Sequence, residues 1–108
     1  MSFDAVIDHD VMADAAQEAS TCLRALSNPS RLLLLCHLLE SEKNVGELED
    51  AIGLGQAYVS QQLARLRGEG LVTARRDGRI VYYSLADTRV RPIINVLYAE
   101  FCRPLTGR

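Results

Sequence analysis

The stretch NVGELEDAIGLGQAYVSQQLARLRGEGLV, Asn44 to Val72, decides the fold, because it holds two short helical patterns around a turn marked by glycine. In the first pattern Asn44 is placed to cap a helix. Glu47, three residues on, completes a capping box, and Val45, Leu48 and Ile52 face inward. Gly53 and Gly55 frame the turn. In the second pattern Val59, Leu63 and Leu66, spaced by four and three, form the inner face and leave Gln56, Tyr58, Ser60, Gln61, Arg65 and Arg67 on the others. Helix, short turn and helix with a polar outer face is the helix-turn-helix pattern.

On the C-terminal side, Gly68 and Gly70 close the second helix. LVTARRDGRIVYYSL, Leu71 to Leu85, then reads as two strands around Asp77-Gly78, a dipeptide favoured in type I′ hairpin turns. An arginine-tipped hairpin after a helix-turn-helix predicts a winged helix. On the N-terminal side, LSNPSR has Ser27 or Asn28 as a cap and Pro29 in a first turn, predicting a helix that runs to about Ser41. Before it, Val11, Met12, Ala15, Ala16, Ala19, Leu23 and Leu26 give His9 to Leu26 a helical stripe. After the hairpin, Val90, Ile93, Ile94, Leu97, Phe101 and Leu105 mark a last helix with little core left to cover. The expected architecture is mainly α with a small β-hairpin: five helices and a two-stranded wing in a homodimer. Residues 1–8 are expected to form a flexible tail, and 9–108 a DNA-binding and dimerisation domain.

Composition agrees with a globular chain, since 108 residues with 48% hydrophobic and 24% charged side chains suit one small domain with a thin core. No apolar run approaches the roughly 20 residues that cross a bilayer, and MSFDAVIDHD lacks the basic start and apolar centre of a secretory signal. A cytoplasmic protein with no membrane partner is therefore expected. The net charge of −2 hides an asymmetry: Gln56 to Arg91 carries seven arginines against three acids, or +4, and the remainder carries −6. A local basic block is the footprint expected for a polyanion, which with a helix-turn-helix is double-stranded DNA, although a solvated charged surface has the same composition. In a helix-turn-helix, Gln56, Ser60 and Gln61 are expected at base edges, with Tyr58 on sugar or a thymine methyl. Arg65, Arg75, Arg76 and Arg79 are expected at phosphates or in the minor groove.

Cys22, Cys36 and Cys102 are an odd set with no CxxC or CxC, which argues against a disulfide framework. In LLLLCHLLE, Leu32 to Glu40, Cys36 reads either as a small core hydrophobe or as a reagent. Thiol enzymes call for a CxxC, a low-pKa exposed cysteine or a positioned base, so no enzyme is expected. His9 and His37 stand alone, and neither a cofactor nor a metal is expected.

LRALSNPSRLLLL, ELEDAIGLGQAYVSQQLARLRGEGLV and RRDGRIVYYSL together resemble the ArsR family of bacterial winged-helix repressors, over nearly the whole chain after the tail. The resemblance implies a homodimer built on the first and last helices, with the Gln56 to Arg67 helix in the major groove of operator DNA. Many members sense metals, yet the segment corresponding to their cysteine motif reads NVGELED, and the last helix offers Asp87, Arg89, Asn95 and Glu100. Neither set suits zinc or softer ions. Cys36 and Cys102, in LLLLCHLL and YAEFCR, instead resemble the thiol pair of the persulfide-responsive SqrR/BigR subgroup, which also shares the VSQQLARLR form of the reading helix. That likeness implies a dithiol redox sensor, with reactive sulfur species as inducer and Cys22 a bystander. The alternative it leaves is an ArsR-type metal or metalloid sensor with cysteine ligands.

Overall fold

Eighteen residues from His9 to Leu26 form α1, yet only Ala25 and Leu26 at its end are buried. Asp8 caps it, its carboxylate accepting from the backbone N–H groups of Asp10 and Val11. The first turns carry no buried or half-buried residue and stand away from the protomer. That accounts for a radius of gyration of 15.9 Å, against about 13 Å for a compact chain of this length. The computed structural model describes residues 8–86 and 89–102. Most of the expected tail, Asp87 and Leu105 lie outside the described residues.

Pro29–Glu40 is α2, the central helix, and Asn28 rather than Ser27 is its cap, accepting from the Arg31 N–H at 3.0 Å. Leu34, Leu35 and Leu38 are fully buried, each worth roughly 2 kcal/mol of transfer free energy. The short strand β1, Lys43–Asn44, leads into α3, Val45–Ile52. The capping box between Asn44 and Glu47 forms as expected, and Gly53 ends α3 at φ 73°. Next comes α4, Gln56–Gly68, whose buried face is Val59, Gln62, Leu63 and Leu66. Its end is a Schellman turn: Gly70 sits at φ 77°, Leu71 N–H reaches the Leu66 carbonyl at 2.9 Å, and Gly70 N–H reaches Arg67 at 3.0 Å.

The wing is β2, Val72–Asp77, paired antiparallel with β3, Ile80–Leu85. Its turn departs from the expectation by one residue. Asp77 pairs with Ile80, so the loop is Gly78-Arg79 rather than Asp77-Gly78. Gly78 alone has positive φ, at 65°. A type I′ turn would force Arg79 into the left-handed region as well, whereas glycine first and an ordinary residue second suits type II′. A second difference is the third strand: β1 joins the sheet, with Lys43 opposite Tyr83 and Asn44 opposite Tyr82.

Val90–Leu97 is α5, which buries Val90 and Ile94. Its helical stripe does not run on unchanged, because Tyr98–Cys102 widens into a π-helical turn. Phe101 is left 68% exposed, and Val96 beside it 60%. Val11, Met12 and Leu23 on α1 are exposed too. Apolar side chains on the first and last helices therefore remain uncovered within one protomer.

Candidate functional site

The outer surface of α4 carries Gln56, Gln61, Arg65 and Arg67 exposed, with Tyr58 and Ser60 half-buried at its margins. Val59, Leu63 and Leu66 anchor the opposite side in the core, which fixes the rotation of the helix. Gly55 supplies no side-chain cap, so the first N–H groups of α4 are left for another acceptor. At the wing tip Arg76 and Arg79 are exposed on either side of the turn.

Arg75 is arranged differently. Its guanidinium is gripped by Glu42, Nε donating to Oε2 at 3.0 Å, and lies 4.8 Å from the centroid of the Tyr82 ring. The hydrogen bond from Arg75 holds the Glu42 carboxyl below the usual carboxylate range, and the same bond raises Arg75. Arg75 would reach a DNA phosphate only by leaving Glu42. Nothing in the sequence announces this pair, because its members are 33 residues apart. Two further features escaped the sequence: the buried Gln62 on α4, and an ion pair between Arg89 and Glu18 that joins the start of α5 to α1.

The three thiols are half-buried. Cys36 is half-buried on α2 and packs against the core, and Cys102 is half-buried at the end of the π-helical turn. α2 packs on α5, the helix that runs on into this turn. Burial pushes the Cys36 thiol up from its ordinary value, and the charge of Cys102 pushes it further in the same direction. That second effect requires the two sulfurs to lie within electrostatic reach. Cys22 is on α1, half-buried, and lines two cavities of about 580 and 430 Å³. Among the described residues no three His, Cys, Asp or Glu side chains converge so as to hold a metal ion. His9 is exposed, and the His37 carbonyl accepts from Lys43 Nζ at 3.0 Å.

A raised thiol pKa has a direct consequence for reactivity, since only the thiolate is alkylated. The rate of iodoacetamide capture at Cys36 is expected to rise with pH to a midpoint above the ordinary thiol value. In Cys102→Ser the midpoint falls part of the way back, because burial is the larger cause. A midpoint in the ordinary range for the unaltered protein, read from the mass of the Cys36 peptide, would contradict this assignment.

Similarity to known proteins follows the same regions. The model of the family described as bacterial regulatory protein, arsR family, matches residues 28–74. The biofilm growth-associated repressor of Xylella fastidiosa is 44% identical over 84% of this chain and 80% of that protein. The transcriptional activator HlyU of Vibrio cholerae is 39% identical over 85% of each chain. Among solved structures, the transcriptional repressor BigR from Xylella fastidiosa superposes with a TM-score of 0.83 at 41% identity, covering 90% of this chain and 96% of that one. The homodimeric winged helix-turn-helix DNA-binding domain of Mb0332 from Mycobacterium bovis gives a TM-score of 0.74 at 26% identity, covering 98% and 96%.

Proposed function

Because the chain belongs to the ArsR family of bacterial regulatory proteins, we propose that it is a homodimeric transcriptional repressor switched by the Cys36–Cys102 dithiol. It holds operator DNA while both residues are thiols and releases it when a reactive sulfur species links them. The observation that supports this reading is the placement of Cys36 on α2, which packs on α5, and of Cys102 in the turn that continues α5, with the charge of Cys102 acting on the Cys36 thiol.

The linking chemistry needs no external oxidant beyond the sulfur donor. With an organic trisulfide RSSSR, one cysteine thiolate attacks the central sulfur and expels RS⁻. The second thiolate attacks the same sulfur and expels the other RS⁻. Two protein thiols and one RSSSR thus yield a Cys36–S–S–S–Cys102 link and two RSH; the central sulfur is retained and the donor is the species reduced. A direct disulfide needs Cα atoms within about 7 Å, whereas each inserted sulfur extends the reach. Spacing of the pair therefore selects among oxidants.

The link acts on DNA binding through two connections. Beyond its C-terminus, α2 passes through Glu42 into β1, which pairs with β3 while Glu42 grips Arg75 on β2. The helix bearing Cys36 is thereby fastened to the wing. The turn bearing Cys102 also carries the exposed Phe101 and follows the exposed Val96 of α5, apolar side chains that a second subunit would cover. Joining Cys36 to Cys102 ties the subunit seam to the frame of the reading heads, and an operator of fixed half-site spacing resists any rotation between them.

Within this reading Gln56, Ser60 and Gln61 meet base edges, Tyr58 packs on sugar or a thymine methyl, and Arg65, Arg76 and Arg79 neutralise phosphates, with Arg75 available after release from Glu42. Gln61→Ala is expected to relax sequence choice. Arg79→Ala is expected to weaken every duplex and flatten the dependence of log K on log salt by about 0.9 per lost contact. Equal losses on operator and random DNA in the Gln61 variant would remove it from base readout.

The reading as a whole is tested by selecting an operator from random duplexes with reduced protein, then measuring its anisotropy before and after trisulfide. Release that a strong thiol reductant reverses supports it. Release by metal ions instead, with none by trisulfide, would favour a metal or metalloid sensor.

A further inference from the structure

Three arginines from three helices converge where no sequence motif joins them. Arg24 of α1, Arg31 of α2 and Arg65 of α4 line one cavity of about 330 Å³ with Thr21, Ala25 and Glu69. Among the described residues Glu69 is the only acid in the lining, so these side chains together carry a net charge of +2. None of the three guanidiniums is ion-paired with a carboxylate among the described residues, in contrast to Arg75 and Arg89. The Nε of Arg31 is buried and meets no hydrogen-bond acceptor among the described residues. A buried N–H donor left unmet costs free energy that an acceptor in the cavity would restore.

We infer that this cavity is a binding site for a tetrahedral oxyanion, a phosphate in the first instance. Guanidinium groups suit it because their forked donors match two oxygens of one phosphate. Arg65 also connects the cavity to the reading surface, since it lies one turn beyond Gln61 on the same face of α4, with Tyr58 a further turn back. A backbone phosphate bordering the groove that α4 enters is thereby brought to Arg65, with Arg31 and Arg24 behind it. Assigning the phosphate to DNA rests on the operator-binding reading above; binding of an oxyanion as such does not. The site would fix the register of α4 on the duplex without reading bases.

Two measurements separate the sources. Operator affinity is measured against salt for the intact protein, Arg31→Gln and Arg24→Gln; the exposed Arg24 serves as the second variant should the half-buried Arg31 be needed for folding. In parallel, inorganic phosphate is titrated into DNA-free protein while the arginine Nε–H resonances are followed by NMR. A slope of log K against log salt that flattens by about 0.9 in either variant assigns the site to the DNA backbone. Saturable shifts of the Arg31 Nε–H with unchanged slopes assign it to a free oxyanion. If the intact protein binds no operator but phosphate still shifts Arg31, the DNA reading fails and the oxyanion site stands. Unchanged slopes together with no saturable shift would overturn the inference.

Discussion

Operator held by Cys36→Ser or Cys102→Ser is expected to stay bound on exposure to an organic trisulfide, under conditions in which the unaltered protein loses roughly 5- to 150-fold in affinity. The loss corresponds to about 1–3 kcal/mol of coupling between the link and the DNA-bound arrangement. Serine retains the volume of each half-buried site closely enough for folding, but it cannot take up sulfur. Either single variant should therefore repress constitutively. Cys22→Ser should respond as the unaltered protein does, since the charge acting on Cys36 is that of Cys102. Fluorescence anisotropy on a labelled operator reads all four proteins in one experiment. Release by either of the first two variants would contradict the dithiol reading.

Phe101→Glu is expected to split the dimer and to lower operator affinity by about two to four orders of magnitude, the usual advantage of binding two linked half-sites. The side chain is 68% exposed within one protomer, so the charge does little harm to the fold of the monomer. In an apolar seam formed with a second copy the same carboxylate would be buried without a partner. Leu97, which packs against the protomer's own core, is a poorer place for the charge. Light scattering gives the mass, and Ile80→Glu on the wing, at a side chain 45% exposed, controls for the added charge. A Phe101→Glu protein that remains dimeric would place the interface elsewhere.

Local chemistry made most of the fold legible. The Asn44–Glu47 capping box, the left-handed Gly53 and Gly70, and the inward spacing of Val59, Leu63 and Leu66 each depend on residues within a few positions of one another. Features that depend on distant partners were not legible. Lys43 and Asn44 look like the approach to a helix, and they become strand only because Tyr82 and Tyr83 arrive beside them. The hairpin loop moved by one residue because ladder pairing of Asp77 with Ile80 outweighed the preference of Asp-Gly for the turn centre. The widened turn at Tyr98–Cys102 has no composition of its own, and it alters the direction in which Phe101 and Cys102 face. For the thiols, a separation of 66 residues says nothing about proximity. Resemblance alone pairs Cys36 with Cys102; the structure adds that α2 packs on α5, the helix that continues into the turn bearing Cys102.

The most direct test of the dithiol switch is the mass of the peptides that carry Cys36 and Cys102 after reaction with an organic trisulfide and digestion without reductant. One species is expected in which the two peptides are joined with a whole number of additional sulfur atoms, absent after treatment with a strong thiol reductant, in proportion to the loss of operator binding. A crosslink that joins Cys22 to either partner, or complete release of operator with Cys36 and Cys102 still recovered as separate thiol peptides, would contradict it.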